Sequence, residues 1–240
     1  MLLKKPNFTI YFGDASDDLY PTWYLAQSDL PSIIDVSPFD TMQQSMNLQS
    51  LLFLRQVHGI DGAVVRDNNP QSSFAREGDF LITNCVGAGI GLMTADCLPL
   101  VYYDHINHAA AVVHAGWQGS VRGVATIALA RMADEYGTHP ADVQVFFGPS
   151  AQRCCYAVSD NFATNLMPSG FVEQVLQRRE GQLYFDLPQF NRLQLDAAGV
   201  RPDAISTAYN LCTICDHRFF SHRREKERAG RQVTIVGVFD

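Results

Sequence analysis

A mixed-sheet α/β sandwich is the fold that the sequence predicts. Short apolar segments typical of strands alternate irregularly with amphipathic segments typical of helices, whereas a doubly wound parallel sheet would show a regular strand–helix repeat. Several strand segments are separated only by loops of hairpin length. No composition break, repeat or flexible linker interrupts the 240 residues. We therefore expect a single domain over residues 1–240.

The N-terminal third contains three predicted elements. Phe8–Phe12 alternates enough for an early strand. The segment 40–54 has a weak apolar pattern that favours a short helix, and 78–83 is a strand that leads to the central part of the chain.

The centre of the chain is predicted to form an antiparallel hairpin. The stretches 89–103 and 109–117 are each typical of a short apolar strand, and the turn-forming residues 104–108 between them match a common loop length. Asp96 and Cys97 stand at the start of the first strand, and His114 stands at the end of the second. Antiparallel pairing would therefore bring a thiol and an imidazole together.

The second half alternates further helices and strands. A glycine turn after His114 begins a helix over 121–132, and free N–H groups at its start suit an anionic group, although such glycines also serve packing alone. Strands are predicted over 143–147 and 233–239, and helices over 161–167, 169–179 and 186–199.

Charge and hydropathy argue against two kinds of partner. A net charge of −7 and a pI of about 5.4 give no cationic field, so nucleic acid is not expected as a partner. The longest apolar run, 98–103, is too short to cross a membrane, and the N-terminus has no apolar region of signal-peptide length. Six cysteines are too few for a disulfide scaffold. We expect a cytoplasmic protein with reduced thiols.

Three residues supply ligand types that zinc prefers. His58, Cys97 and His114 each stand where an apolar strand meets a polar or glycine-containing turn. Two imidazoles and a thiolate would hold Zn²⁺ and leave a fourth position open, and copper could replace zinc there. Asp96 is a candidate for moving protons or orienting the ligands. The alternative for His58 is a hydrogen-bonded structural histidine.

The remaining motifs carry weaker signals. Cys212 and Cys215 have the spacing of a zinc half-site, but no second pair lies at ribbon spacing. The adjacent Cys154 and Cys155 are poorly disposed to share one metal, so we do not expect a structural zinc. The basic segment 221–231 fits a phosphate-binding loop and a solvated face equally well, since two glutamates interrupt it.

Motifs spread over residues 56–240 have the order and type found in one protein family. They are Gln56-Val57-His58-Gly59, Thr94-Ala95-Asp96-Cys97-Leu98-Pro99, Val113-His114-Ala115-Gly116-Trp117, Gly148-Pro149 with Tyr156-Ala157-Val158, Cys212-Thr213, and Phe220-Ser221-His222-Arg223-Arg224-Glu225 with Gly230-Arg231. In these motifs the chain resembles the YfiH family, also called the laccase-domain or polyphenol-oxidase-like family of purine nucleoside phosphorylases. Residues 1–50 diverge from the family pattern.

This resemblance implies a four-layer α/β/β/α fold in which His58, Cys97 and His114 hold zinc. It implies phosphorolysis of adenosine, inosine, guanosine and methylthioadenosine, with deamination of adenosine as a second activity. Zinc would act as a Lewis acid and water activator, and Asp96, Cys97 and His114 would form the catalytic group. The candidates for binding phosphate are Arg223, Arg224 and Arg231.

Some features depart from the family pattern. Gln118 stands where the family has Arg or Lys, His222 stands where it has Tyr, and an N-terminal glycine-rich motif is not recognisable. A missing cation at Gln118 affects phosphate binding more than metal binding. Copper-dependent phenol oxidation is also attributed to the family, but the seven histidines include no His-x-His pair of the kind that builds laccase copper clusters.

Three functions fit these residues. The first is the zinc-dependent purine nucleoside enzyme, which would take nucleosides and phosphate as its small-molecule partners. The second is an amide hydrolase acting on peptidoglycan precursors, with Cys97 as nucleophile and His114 as base. The third is a non-catalytic binding protein that keeps the fold. Metal analysis separates the first two, because a metal-bound thiolate is not free to attack a substrate.

Overall fold

The computed structural model describes residues 1–20, 39–68 and 76–240, and these residues form three β-sheets. The strands are β1 (Leu2–Lys4), β2 (Phe8–Phe12), β3 (Ser50–Phe53), β4 (Gly62–Val65), β5 (Phe80–Thr83), β6 (Ala88–Thr94), β7 (Leu98–Asp104), β8 (Ala109–Ala115), β9 (Val143–Phe147), β10 (Ala157–Val158), β11 (Leu176–Arg179), β12 (Gln182–Phe185), β13 (Ile205–Ser206) and β14 (Gln232–Val238).

The helices lie mainly in the second half of the chain. They are α1 (Asp40–Ser45), α2 (Trp117–Val121), α3 (Val124–Tyr136), α4 (Ala163–Leu166), α5 (Val172–Val175), α6 (Leu187–Ala197) and α7 (His222–Glu225). The predicted helix over 186–199 is confirmed as α6, which begins where Asp186 accepts the N–H of Gln189 and ends before Gly199, with φ 95°. None of the described helices has the length and apolarity needed to cross a membrane.

Two of the sheets are large and mixed. The five-stranded sheet has the order β1-β2-β14-β6-β3, with β3 parallel to β6 and the other pairs antiparallel. The six-stranded sheet has the order β13-β9-β7-β8-β5-β4, with parallel pairs at its two edges and antiparallel pairs between them. A small antiparallel sheet contains β10-β12-β11. The predicted mixed-sheet α/β class is confirmed.

The two large sheets pack face to face with helices on both outer sides. Ile10 and Ile90 of the five-stranded sheet share one buried core with Val101 and Val112 of the six-stranded sheet. The other face of the six-stranded sheet packs against α3 and α6, and the other face of the five-stranded sheet packs against α1 and the residues around it. The order of layers is therefore α/β/β/α. Each large apolar side chain buried here stabilises the fold by about 1.5–3 kcal/mol.

The predicted strand over 89–103 is two strands that belong to different sheets. β6 pairs with β14, whereas β7 pairs with β8 in the predicted antiparallel hairpin. Residues 95–97 carry the chain from one sheet to the other, and Asp96 has a left-handed φ of 84° there. The apolar pattern concealed this break because every residue of both strands is buried.

The helix predicted over 169–179 is wrong in its second half. α5 ends at Val175, and the residues that follow form β11, which pairs with β12 across a tight turn. Glu180 and Gly181 both have positive φ in this turn, as a two-residue hairpin loop of type I′ requires. Pairing with a partner strand therefore outweighs the weak helical periodicity of this segment.

Candidate metal centre

His58, Cys97 and His114 converge at one end of the two large sheets. Their ligand atoms all lie within 4.8 Å of one another, and the Cys97 Sγ is 3.7 Å from the His58 Nε2. Ligands about 2.0–2.3 Å from a tetrahedral zinc ion lie about 3.3–3.8 Å apart. The three residues therefore form a group of the size that one zinc ion needs.

Each of these residues is held by a different strand. His58 lies in the loop after β3 with a left-handed φ of 57°, Cys97 immediately precedes β7, and His114 is the last but one residue of β8. The register of β7 and β8 pairs Leu98 with Ala115 and Pro99 with His114. Cys97 and His114 consequently meet across the strand pair, as the hairpin prediction required.

Gly116 leaves the space that the three side chains occupy. A Cβ atom at this position would lie 3.0 Å from the His58 Cδ2 and 3.1 Å from the Cys97 Sγ. Gly116 therefore precedes α2 and also leaves room for the ligand group. Any side chain here would press on the ligand group and force it apart.

Asp79 orients the histidines, and no pattern in the sequence indicates this role. Its buried carboxylate lies 2.7 Å from the His114 Nδ1, and the backbone N–H groups of His58 and Gly59 donate to it at 2.9 and 2.6 Å. A carboxylate on Nδ1 fixes the imidazole ring and leaves Nε2 for a metal. Position 79 lies beside His114 because β5 pairs with β8 in a register that sets Phe80 opposite Val113.

In metal-free protein, Cys97 and His114 shift each other's pKa. Burial raises the pKa of Cys97, but His114 and His58 outweigh burial and lower this pKa to about 6. Burial lowers the pKa of His114, but Cys97 and Asp79 raise it to about 9. At neutral pH the pair is therefore a thiolate and an imidazolium, and a divalent cation that binds here displaces a proton from His114.

The lowered pKa of Cys97 has a measurable consequence after metal removal. In chelator-treated protein, Cys97 should react with iodoacetamide at a rate that falls only as the pH drops through about 6, because the thiolate is the reacting species. Cys85 is the matched control, since burial raises its pKa. Mass mapping of labelled peptides across a pH series measures both thiols. The same pH dependence for both would contradict the ion pair.

Asp96 ties three segments together beside the centre. Its buried carboxylate accepts hydrogen bonds from the Thr213 Oγ1 at 2.7 Å, the Ser221 Oγ at 3.1 Å and the backbone N–H of Arg223 at 2.7 Å. These contacts shape the walls around the centre. A part for Asp96 in proton transfer stays a prediction.

The centre opens into a cleft of about 680 Å³. Trp117 and Tyr156 contribute aromatic surface to its described walls, and Arg223 and Arg231 contribute positive charge. The Arg223 guanidinium lies 4.7 Å from the centre of the Tyr156 ring and donates to the backbone oxygen of Ala157. Two of the three predicted phosphate-binding residues therefore line the cleft that contains the metal ligands.

Gln118 and His222, which depart from the family pattern, also line this cleft. Arg224 does not. Its guanidinium donates to the backbone oxygens of Thr213, Ile214 and Phe219, and it pairs with the carboxylate of Glu225. These bonds hold the segment 213–219 in place. A part for Arg224 in phosphate binding stays a prediction.

Comparison with known proteins places the chain in a family. Residues 29–239 match the family described as multi-copper polyphenol oxidoreductase laccase. The chain belongs to this laccase family. A relative, "Purine nucleoside phosphorylase YlmD" of Geobacillus stearothermophilus, is 35% identical over 200 residues, which are 79% of this chain and 73% of the relative. "Adenosine deaminase RL5", from an unknown prokaryotic organism, is 32% identical over 221 residues, covering 88% of this chain and 83% of that protein.

A solved structure supports the fold of this laccase-family chain. The YfiH protein of Bacillus licheniformis superposes with a TM-score of 0.78 over 96% of this chain and 92% of its own length, at 24% sequence identity. This superposition confirms the predicted α/β fold. The family match and the similar sequences confirm the resemblance stated from the sequence motifs.

The word multi-copper does not describe the centre of this laccase-family chain. Copper clusters of laccases need several ions held by paired histidines, whereas the centre combines one thiolate with two histidines from separate segments. Among the seven histidines of the chain, no two stand in a His-x-His pair. The geometry of His58, Cys97 and His114 fits a single ion.

Proposed function

We propose that this protein is a zinc-dependent purine nucleoside enzyme, which catalyses phosphorolysis of adenosine, inosine, guanosine and methylthioadenosine and the deamination of adenosine. The observation that carries the proposal is a one-ion group of two imidazoles and a thiolate that opens into a cleft lined by the arginines Arg55, Arg223 and Arg231. The names of relatives in the laccase family, purine nucleoside phosphorylase and adenosine deaminase, support the same class of substrate.

The donor set of the centre fits zinc. A thiolate with two imidazoles suits zinc, whereas magnesium and calcium prefer oxygen ligands. His114 also has the carboxylate partner on its second ring nitrogen that ligating histidines usually have. A bound zinc ion would supply a Lewis acid and would lower the pKa of water at the open position.

The residues of the cleft would provide the rest of the chemistry. In phosphorolysis a phosphate oxygen bonds to C1′ of the ribose, the bond from C1′ to the purine nitrogen breaks, and the leaving purine takes up a proton. Arg223 and Arg231 would bind the phosphate and hold it towards C1′. Trp117 offers aromatic surface to the purine. Asp96 acts as a positioning residue, since it holds the backbone of Arg223.

A nucleoside panel tests the proposed function. Zinc-loaded protein is incubated with adenosine, inosine and guanosine, with and without phosphate. We expect free base and ribose 1-phosphate only when phosphate is present, and inosine from adenosine in its absence. If folded, zinc-loaded protein converts no nucleoside under either condition, the proposal is wrong.

Arg223→Met is expected to weaken phosphorolysis selectively. Loss of one charged hydrogen bond to phosphate costs about 1.5–3 kcal/mol, which corresponds to a rise of roughly 10–100-fold in the KM for phosphate. Deamination of adenosine should change little, because no external anion takes part in it. Arg228→Met is the matched control, since Arg228 is an exposed cation of the same segment outside the described cleft walls. An equal loss of both activities would instead indicate a structural role for Arg223.

One arrangement favours a second candidate function. Cys97 contacts His114, and His114 contacts the carboxylate of Asp79, which is the order of groups in Cys–His–Asp nucleophilic sites. Without metal, such a site would support hydrolysis of an amide bond, for example in a peptidoglycan precursor. Amide hydrolysis that appears when a chelator removes the metal would favour this function. Nucleoside turnover that disappears with the metal would favour the first.

A further inference from the structure

We propose that Cys154, Cys155, Cys212 and Cys215 bind a second zinc ion in a closed structural site. All four sulfur atoms lie within 4.8 Å of one another. None of the four cysteines belongs to the described walls of the nucleoside cleft. Four thiolates leave no open position on the ion, so the ion would stabilise the loops that carry them and would take no part in catalysis.

The separation of the sulfur atoms fits a tetrahedral ion. The Sγ atoms of Cys154 and Cys215 are 3.9 Å apart. Sulfur atoms about 2.3 Å from a tetrahedral zinc ion lie about 3.8 Å from one another, whereas a disulfide requires about 2.05 Å. The four thiols are therefore spaced as ligands of one ion.

The adjacent pair can share one ion because its backbone turns. The N–H groups of Cys155 and Tyr156 both donate to the backbone oxygen of Gln152, at 2.9 and 2.8 Å, which makes 152–156 a tight turn. In an extended strand, neighbouring side chains point to opposite faces, but in a turn they diverge much less. This corrects the expectation from the sequence that Cys154 and Cys155 are poorly disposed to share one metal.

The C-x-x-C pair also lies in a turn. The backbone N–H of Asp216 donates to the oxygen of Cys212 at 3.0 Å, which brings Cys215 back beside Cys212. Backbone N–H groups of Cys215, Gln152 and Ile214 are directed at the Cys212 sulfur. Backbone donors of this kind stabilise a metal-bound thiolate.

Both cysteine turns lie next to residues that shape the cleft. Tyr156, which follows Cys155, lies under the Arg223 guanidinium. Thr213, which follows Cys212, donates to Asp96. The parallel bridge between Ser150 and Cys212 already joins the two segments through their backbones. An ion bound to all four thiols would join these two segments at a second point. It would thereby hold Tyr156 and Thr213 in place beside the His58–Cys97–His114 centre.

Metal analysis of cysteine variants tests this site. Full-length protein loaded with zinc and then desalted should hold about two zinc ions per chain, and Cys154→Ser or Cys215→Ser should each lower the content by about one. Cys85→Ser is the matched control, because Cys85 is a free thiol outside both groups, and it should keep both ions. Cys97→Ser should remove only the other ion. The proposal would be overturned if Cys154→Ser and Cys215→Ser hold as much zinc as Cys85→Ser.

Two further measurements avoid dependence on nucleoside turnover, and the second of them uses only wild-type protein. Cobalt bound to Cys97→Ser protein should show the intense sulfur-to-metal absorption of a four-thiolate site, and this absorption should be lost in Cys97→Ser/Cys215→Ser. In zinc-loaded wild-type protein, iodoacetamide should label the four thiols slowly until a chelator is added. Labelling that is equally fast before and after chelation would overturn the site.

Discussion

Replacing Cys97 with serine is expected to remove zinc from the His58–Cys97–His114 centre and to abolish phosphate-dependent cleavage of inosine. A serine hydroxyl is a poor zinc ligand but nearly matches the thiol in shape, so the fold should be kept. Loss of a group that only orients a ligand lowers metal affinity by about 10–100-fold, and loss of the ligand itself should exceed that range. Zinc content after desalting, read together with circular dichroism, measures both effects.

His114→Ala provides an independent second variant at the same centre. It removes a ligand and also leaves the buried Asp79 carboxylate without its imidazole partner, which should cost about 1–3 kcal/mol of unfolding free energy. His139→Ala is the control for loss of a histidine, because His139 is exposed and its ring bonds only the nearby N–H of Ala141 among the contacts described. Full occupancy of this centre in both Cys97→Ser and His114→Ala would rule it out as a zinc site.

Asp79→Asn is expected to lower the zinc affinity of the centre by about 10–100-fold while every ligand remains. The carboxylate holds the His114 Nδ1 and the backbone N–H groups of His58 and Gly59, so it positions both histidines at once. Competition for zinc with a chelating dye measures the affinity. The kcat of protein saturated with zinc should fall much less than the zinc affinity falls. A general collapse of the site would lower both.

Asp61→Asn is the matched control for this change. Asp61 is an exposed carboxylate whose backbone oxygen accepts the N–H of Asp79, so the substitution alters a charge close to Asp79 without touching the histidines. It should leave the zinc affinity within about twofold of the wild-type value. An Asp79→Asn protein that binds zinc as tightly as Asp61→Asn would show that the carboxylate does not position the ligands.

The sequence allowed the ligand group to be predicted because local signals mark its members. Cys97 and His114 flank a hairpin whose loop length and apolar strands are visible in the chain, and His58 ends another apolar run. Strand ends gather at a sheet edge, so groups at such ends meet. The mixed α/β class followed from the same strands, and the family motifs then supplied the four-layer order that pattern alone left open.

Contacts between distant segments could not be predicted in this way. Asp79 meets His114 across 35 residues through the pairing of β5 with β8, and nothing in either strand specifies that partner. The break between β6 and β7 is hidden inside one apolar run. The convergence of Cys154 and Cys155 depends on a backbone turn that residue spacing does not reveal. For Asp79 the missing information is a long-range strand pairing, and for the other two cases it is a local backbone conformation.

Cys97 lies on the short link that carries the chain from the five-stranded sheet to the six-stranded sheet, while His58 follows a strand of the first and His114 ends a strand of the second. The complete set of three ligands therefore forms only when the two sheets dock, so we expect ion capture late in folding. We do not expect the metal to nucleate folding, in contrast to zinc fingers, which are unfolded without it. Newly made chains should mature through a folded apoprotein, and that species should take up zinc without having to unfold first.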